Sequence, residues 1–185
     1  MIFVPFEDLY TPRLHLRKLT IDDVPLYYAR LGSSVEVTKY MLFPPHTDIS
    51  QSVASVEKAL RRYEEGKCYR FCIALKESDA LIGVMEALRF DEVNGSCSFA
   101  YMLGQDFWGR GYGTEALNAV LDFLFTRMDI QRVEADHMAG NPASGAVMRK
   151  AGMLPCGIEK HKYEKDGIRH DAVLYAITKE QWHTK

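Results

Sequence analysis

The chain alternates between apolar positions spaced as in a β-strand and apolar positions spaced as in an α-helix. Residues 14–17 alternate leucine with histidine and arginine, which predicts a first strand. A threonine cap opens a predicted helix over 20–31. A second helix is predicted to begin at Ser50 or Ser52, to carry apolar residues at helical spacing and to end at Gly66. The N-terminal part is therefore predicted to be strand, helix, helix.

The remainder is predicted to contain strands joined by tight turns and two further helices. In chain order these are strands over 69–75, 80–90 and 96–102, a helix over 113–127, a strand over 132–137, a helix from Asn141-Pro142 to Gly152, and a hairpin over 153–163 and 170–178. Asn94-Gly95 and Asp166-Gly167 are typical hairpin turn sequences. Because helices alternate with hairpin-linked strands, we expect a mixed sheet in an α/β (α+β) protein, with residues 1–185 forming a single domain.

One segment, Phe99–Ala119, combines a strand end, a glycine-containing loop and the start of a helix. Its glycines stand at Gly104, Gly109, Gly111 and Gly113. Glycine permits positive φ and lets a ligand approach the backbone closely. The start of the following helix offers free N–H groups and a partial positive charge, which suit a phosphate. The segment therefore predicts a site for a nucleotide or a coenzyme with a pyrophosphate, although such loops also occur as plain turns.

Composition narrows the class of protein. Hydrophobic residues make up 47% of the chain, enough for a packed core. The formal net charge of -2 gives no general attraction to nucleic acid or to an anionic membrane, and we expect neither as a partner. The four cysteines lack the spacing of a zinc site, so no metal is expected. A signal peptide and a membrane span are not recognisable, which makes the cytoplasm the expected location.

The order of elements and four sequence stretches resemble the GCN5-related N-acetyltransferase superfamily, and within it the ribosomal-protein-alanine N-acetyltransferase branch. Residues 11–17 match the opening strand and residues 35–40 the turn that follows it. Residues 107–116 match the coenzyme loop, and residues 141–153 match the second cofactor motif. This resemblance implies a mostly antiparallel sheet that splays open beside the strand 96–102, with acetyl-CoA bound in the splay. It covers nearly the whole chain.

The resemblance also implies which residues bind acetyl-CoA. Backbone N–H groups of the glycine loop would hold the pyrophosphate, and the end of the preceding strand would pair with the pantetheine and the thioester. The residues implied are Met102, Leu103, Trp108, Gly109, Arg110, Gly111, Tyr112, Gly113, Thr114, Asn141 and Ser144. Where this chain has Trp108, the loop of many members of the superfamily starts with glutamine or arginine. The resemblance implies that the contact with the coenzyme at this position is largely made by the backbone.

Acetyl transfer to an amine requires a neutral amine, donors for the oxyanion and a way for the thiolate to leave. We expect the main-chain N–H near Leu103 to be the oxyanion donor. Many relatives place a tyrosine acid where this chain has Met148, and in the resembling branch a serine, here Ser144, donates a hydrogen bond instead. Helix capping is the competing role for Ser144. Glu86 is the predicted base, with a solvated strand face as the alternative, and Tyr101 is predicted to shape the acceptor pocket or to pack in the core.

Other functions remain open from the sequence. Residues 111–116 also fit a dinucleotide-binding fingerprint, but the intervening residues 103–110 separate that fingerprint from its strand. A non-catalytic acetyl-CoA-binding module is a second alternative. The acceptor could be a protein N-terminus, as the resemblance implies, or a small amine such as an amino acid, a polyamine or an antibiotic. A monomer and a homodimer are both compatible with the sequence.

Overall fold

The computed structural model describes residues 1–66 and 68–184. Its N-terminal part contains short strands and helices that pack against one another. They are β1 (Leu9–Tyr10), β2 (Leu14–Arg17), a 3-10 turn (Ile21–Asp23), α1 (Val24–Tyr27) with a π-helical turn (Tyr28–Gly32), α2 (Val35–Thr38) and α3 (Ile49–Glu64). The first predicted helix is thus divided into three short turns, and β1 and α2 were not predicted.

The C-terminal part follows the predicted order with shifts of one or two residues. It contains β3 (Tyr69–Leu75), β4 (Leu81–Asp91), β5 (Ser96–Leu103), a 3-10 turn (Gln105–Phe107), α4 (Tyr112–Thr126), β6 (Arg132–Met138), α5 (Pro142–Lys150), β7 (Leu154–Lys165), β8 (Ile168–Thr178) and α6 (Lys179–His183). The short helix α6 was not predicted.

The cap of α3 differs from the prediction. The carboxylate of Asp48 accepts a hydrogen bond from the Ser50 N–H at 2.8 Å, so Asp48 is the cap rather than Ser50 or Ser52. Ser52 is fully buried, and its hydroxyl bonds to Nδ1 of His46 at 2.8 Å. The prediction failed because several residues at this helix start can cap, and the sequence does not show which of them precedes the first turn.

The strands form one sheet in the order β1-β2-β3-β4-β5-β6-β8-β7. Every neighbouring pair is antiparallel except β5 and β6, which are parallel. Within the described residues, the pairing of β5 with β6 ends at Ser98 opposite Glu134, whereas β5 itself continues to Leu103. The two strands therefore diverge, and the predicted mixed sheet with a splay beside β5 is confirmed.

Two apolar cores cover the two faces of the sheet. On one face α4 packs its apolar side, including the fully buried Leu117 and Val120, against strand residues such as Phe71. On the other face α1 and α3 pack through residues such as Val56 against Val84. Burial on both faces fixes β4 and β5 in the middle of the molecule, so the gap between β5 and β6 is held open by well-packed strands. No helix among the described residues is both long and apolar enough to cross a membrane.

Candidate active site

A cavity of about 790 Å³ lies where β5 and β6 diverge. Its wall is formed by β5, the loop before α4, and residues of α4 and α5. Residues 36–42, the end of β4 and strand β6 complete the wall. The sequence-predicted site residues that line it are Tyr101, Met102, Leu103, Trp108, Gly109, Gly111, Tyr112, Gly113, Thr114, Asn141 and Ser144. Arg110 and Glu86 are the two predicted residues outside this lining.

The end of β5 presents backbone groups to the cavity. The Gly104 N–H donates to the Ile82 carbonyl at 2.8 Å, which makes this a hydrogen-bonded pair of the antiparallel ladder. Because hydrogen-bonded and non-bonded pairs alternate along such a ladder, the N–H and C=O groups of Tyr101 and Leu103 point away from β4. β6 has already diverged at this level. These groups are therefore available to an extended ligand, which fits the predicted pairing with pantetheine.

Trp108 ties the coenzyme loop to the end of β5. Its indole Nε1–H donates to the Leu103 carbonyl at 2.7 Å, while the ring remains 45% exposed. The same bond confirms that the Leu103 carbonyl faces the loop rather than β4. Trp108 thus fixes the strand end against the start of the loop through its side chain, a contact that the sequence did not predict.

The loop glycines have different physical reasons to be glycine. Gly109 has φ 72° and Gly111 has φ 83°, a left-handed conformation that a side chain disfavours. Gly111 is also the residue immediately before α4, so the turn aims the first free N–H groups of that helix at the cavity. Gly113 lies within α4, and a Cβ there would meet Val147 at an ordinary 3.5 Å. Only the first two positions therefore require positive φ.

An ion pair that was not predicted supports this loop. Arg13 Nε donates to Glu115 Oε2 at 2.7 Å, and Thr11 Oγ1 donates to Glu115 Oε1 at 2.6 Å. Arg13 Nη1 also donates to the Arg110 carbonyl at 3.0 Å, and its guanidinium lies 4.3 Å from the centre of the Tyr112 ring. Burial alone would raise the pKa of Glu115, but the hydrogen bonds from Thr11 and Arg13 outweigh it and lower that pKa. The segment 11–13 thus clamps the first turn of α4.

The first turn of α5 meets β5 through a pair of hydroxyl groups. Asn141 caps the helix, its Oδ1 accepting from the Ser144 N–H at 3.4 Å. The Ser144 hydroxyl lies 2.9 Å from the Tyr101 hydroxyl, which also donates to the Ser144 carbonyl at 3.1 Å. Burial raises the pKa of Tyr101 to about 12, so its phenol is protonated near neutrality. The pair places two O–H groups at the wall of the cavity.

Comparison with known proteins decides the family. A family model described as an acetyltransferase (GNAT) domain matches residues 13–154. An uncharacterized N-acetyltransferase p20 of Bacillus licheniformis is 31% identical over 95% of this chain and 98% of its own length. The chain belongs to the GNAT acetyltransferase family. The predicted resemblance and the prediction of an N-acetyltransferase are thereby confirmed.

Further relatives of this GNAT domain have named acceptors. The ribosomal protein uS5-alanine N-acetyltransferase of Escherichia coli is 30% identical over 65% of this chain and 62% of its own length. A ribosomal L7/L12 α-N-protein acetyltransferase, RimL, solved with coenzyme A, superimposes with a TM-score of 0.83 at 22% identity, covering 93% of this chain and 98% of its own. A spermidine N-acetyltransferase of Vibrio cholerae, solved with coenzyme A and spermine, gives 0.80 at 18% identity, covering 94% and 99%. At these identities the two structures show a shared fold.

Glu86, the predicted base, is placed away from the cavity. It lies on the sheet face that packs against α3, where the Arg62 guanidinium donates to it and the Arg70 Nε is 4.0 Å away. Its side chain is only 18% exposed. The two arginines sit far from Glu86 in the sequence, so their pairing left no local signal. This geometry gives no support to a role for Glu86 as base or in acceptor binding.

Another carboxylate, Asp136 on β6, lines the cavity instead. The Tyr163 hydroxyl donates to its Oδ1, and Lys162 Nζ lies 3.1 Å from its Oδ2. Burial and then the hydrogen bond to Asp136 raise the pKa of Tyr163, so this phenol stays protonated. The strand pattern showed Asp136 as one of several polar residues in 132–137, and only the divergence of β6 from β5 reveals that it faces the cavity.

Metal binding is not suggested by the site. Among the residues that the structure describes, no group of three or more histidine, cysteine, aspartate or glutamate side chains could hold a metal ion.

Proposed function

We propose that this GNAT domain transfers the acetyl group of acetyl-CoA to the α-amine of a polypeptide N-terminus. The observation that carries the proposal is the free backbone edge of β5, which lies beside the glycine turn at Gly111. The strand edge suits an extended pantetheine, and the helix start after the glycine turn suits a pyrophosphate. The named acceptors of the uS5-alanine and L7/L12 relatives support a protein N-terminus.

Acetyl-CoA is the acetyl donor in this proposal. The N–H groups at the start of α4 would hold its pyrophosphate, and the main chain at Tyr101 and Leu103 would pair with its pantetheine and thioester. The predicted pairing with the Met102 main chain is not supported, because Met102 lies opposite Val84 in a hydrogen-bonded pair of the ladder and contributes only its side chain to the cavity wall. The Leu103 N–H would donate to the oxyanion as the thioester carbon becomes tetrahedral. Asn141 has its Nδ2 available for the pantetheine, since its Oδ1 serves as the helix cap.

The transfer forms a bond from the amine nitrogen to the acetyl carbon and breaks the bond from that carbon to sulfur. An α-amine has a reference pKa near ~8, so a useful fraction is neutral at physiological pH. Asp136 is the carboxylate we assign to take up the amine proton, directly or through water, because it lines the cavity on β6 and is held in place by Tyr163 and Lys162. Ser144 would donate to the departing sulfur.

A small amine is the second candidate acceptor, supported by the shared fold with the spermidine N-acetyltransferase. Two measurements test the proposal. Acetyl-CoA is expected to raise the melting temperature, whereas NAD and NADP are not. At a hundredfold excess over its Kd, acetyl-CoA should raise the free energy of unfolding by about 2.7 kcal/mol. Thiol release from acetyl-CoA is then measured with N-terminal peptides, spermidine and amino acids. Stabilisation by NAD alone, or acetyl-CoA binding without thiol release with any amine, would contradict a transferase of this kind.

A further inference from the structure

The end of β4, where Leu88 and Arg89 line the cavity, contains an irregularity. β4 pairs regularly with β5 until Leu88 opposite Ser98, and the register then shifts before Asp91 pairs with Ser96. Arg89 lies inside this β-bulge with φ 53°. A bulge of this kind turns a side chain away from the direction that the regular strand would give it.

Positive φ is unusual for an arginine. Among the residues that the structure describes, the other non-glycine positions with positive φ are three turn aspartates, Asp79, Asp129 and Asp166, and His161, which lies in a bulge of β7. Aspartate tolerates this conformation through local hydrogen bonds, whereas arginine gains nothing comparable. Strained conformations of this kind concentrate at binding sites. The bulge accounts for the positive φ, as it does at His161, but glycine would adopt this φ at lower cost, so the arginine side chain at this position is not there for the backbone.

The charge of Arg89 is not neutralised by the described part of the chain. Its side chain is exposed and lines the cavity, and no described residue gives it a hydrogen bond or a carboxylate partner. The other charged groups in the lining are Glu36, Lys39, Asp136 and Lys150. Asp136 already accepts a hydrogen bond from Tyr163 and forms an ion pair with Lys162. Lys150 lies on α5, the helix that Asn141 caps and that contains Ser144. Lys39 lies on the ring of Tyr40, with its Nζ 5.5 Å from the ring centre, and the charge of Arg89 acts on the nearby Tyr163 phenol, which is neutral. Among the described residues of the lining, Arg89 is thus the guanidinium that the cavity offers to a ligand.

We propose that Arg89 binds an anionic group of the acceptor, so that the preferred acceptor is a peptide N-terminus with an acidic side chain near its α-amine. This inference rests on the proposed function. A guanidinium binds a carboxylate with two parallel hydrogen bonds, which an amide or an ammonium group does not reproduce. The same cation repels a polyamine, so Arg89 discriminates between the two candidate acceptor classes.

The length of β5 sets the distance between amine and anion. From Ser98, next to the bulge, to Leu103, the expected oxyanion donor, the strand rises about 17 Å at about 3.4 Å per residue. An extended peptide spans about the same distance in five residues, and the arginine side chain shortens it. We therefore expect the acidic residue within about four positions of the N-terminus.

The test uses tetrapeptide amides that start with alanine and carry glutamate at the second, third or fourth position, each matched by its glutamine analogue. We expect kcat/KM to be about tenfold to a hundredfold higher for at least one glutamate peptide than for its match. R89Q should abolish this preference and R89K should retain part of it, with the KM for acetyl-CoA unchanged. R61Q, which removes an exposed arginine of α3 outside the cavity, is the control and should behave as the parent.

Equal losses on glutamate and glutamine peptides in R89Q would overturn the inference, and so would a raised KM for acetyl-CoA, which would assign Arg89 to the coenzyme. A parent enzyme that prefers spermidine would overturn it as well. β-Alanine, which has a carboxylate, and β-alaninamide, which lacks one, form a second matched pair that tests a small anionic amine as the acceptor. If Arg89 produced a preference for β-alanine but none among the peptides, the assignment of a peptide acceptor would be overturned. Calorimetric titration of the same peptides onto CoA-saturated protein separates the two proposals. Arg89-dependent glutamate binding without turnover would refute the transferase and keep the anion site.

Discussion

Removing the Ser144 hydroxyl tests whether the α5 start acts in catalysis or only caps a helix. The Tyr101 O–H has two acceptors within reach, the Ser144 hydroxyl at 2.9 Å and the Ser144 carbonyl at 3.1 Å. When Tyr101 donates to the hydroxyl, the Ser144 proton is free to point into the cavity. When Tyr101 donates to the carbonyl, the Ser144 hydroxyl must donate to Tyr101 in order to keep their bond. Tyr101 therefore decides whether Ser144 can serve the departing sulfur.

The magnitude follows from these bonds. A thiol has a reference pKa of about 8.5, so its thiolate leaves without a strong acid and a donor contributes a modest factor. We expect Ser144→Ala to lower kcat by about tenfold to a hundredfold, at the low end of general acid effects, with the KM for acetyl-CoA little changed. Losing the bond to Tyr101 should cost about 1 kcal/mol of unfolding free energy. Tyr101→Phe should lower kcat less, and the double variant should match Ser144→Ala, because Tyr101 acts through Ser144.

The assay is initial-rate thiol release from pH 6 to 9, in parallel with urea unfolding. The protein contains its own control, since the Tyr27 hydroxyl lies 3.1 Å from the Ser55 hydroxyl away from the cavity. Ser55→Ala should lose similar stability and keep the parent kcat. If Ser144→Ala keeps the parent rate at every pH, the hydroxyl only supports the helix. If Tyr101→Phe is the more damaged variant, the phenol is the donor and Ser144 only positions it.

Three further predictions concern the loop, its clamp and the cavity carboxylate. Gly111→Ala should lower the unfolding free energy by about 1–2 kcal/mol and weaken CoA binding, because Gly111 has positive φ. Gly113→Ala should not lower the unfolding free energy, because Gly113 lies in the helix without positive φ. Equal losses for the two variants in urea unfolding would contradict this. Glu115→Gln should cost about 1–2 kcal/mol, after a discount for the exposure of Arg13. The pKa of Glu115 is lowered in the folded protein, so the stability difference between the parent and Glu115→Gln should be fully present above the ordinary carboxyl pKa of about 4.3. It should vanish as the pH falls through the folded pKa. A difference in unfolding free energy that grows in acid would refute the clamp. Asp136→Asn should lower kcat/KM for a peptide more at pH 7 than at pH 9, where the α-amine is already neutral, while the neighbouring Glu134→Gln should not; a loss independent of pH would remove the base role.

The parts of the site that the sequence predicted are those made by backbone geometry. Gly109 and Gly111 are visible because positive φ restricts the residue type, and the helix after them is visible through its apolar period. The splay beside β5 followed from the family resemblance of these motifs, and the three-residue pairing of β5 with β6 confirms it. Such features leave a signal within a few neighbouring residues, so one chain suffices to find them.

Side-chain partners that are distant in the sequence could not be predicted in the same way. Arg13 and Glu115 are 102 positions apart, and nothing local joins them. Glu86 is the opposite case, since its place in a central strand suggested a base, whereas its partners Arg62 and Arg70, 24 and 16 positions away in the sequence, leave no local signal. The position of Arg89 in the cavity wall could not be predicted without the β-bulge. The register shift of that bulge depends on how β4 pairs with β5 rather than on the sequence of β4 alone.

The hydroxyl chemistry next to Ser144 shows how the fold compensates for a missing side chain. Many relatives carry a tyrosine at the position of Met148, but here that methionine is fully buried in the core beneath α4 and is not part of the cavity wall. A phenol at this position would have to displace well-packed neighbours, because cores tolerate added volume poorly. Tyr101 brings a phenol to the same helix turn from the facing strand, where its hydroxyl contacts Ser144 directly. In the proposed mechanism Ser144 on α5 remains the donor to the sulfur, and the Tyr101 phenol on β5 orients its hydroxyl, so Met148 can pack in the core while Ser144 keeps a partner.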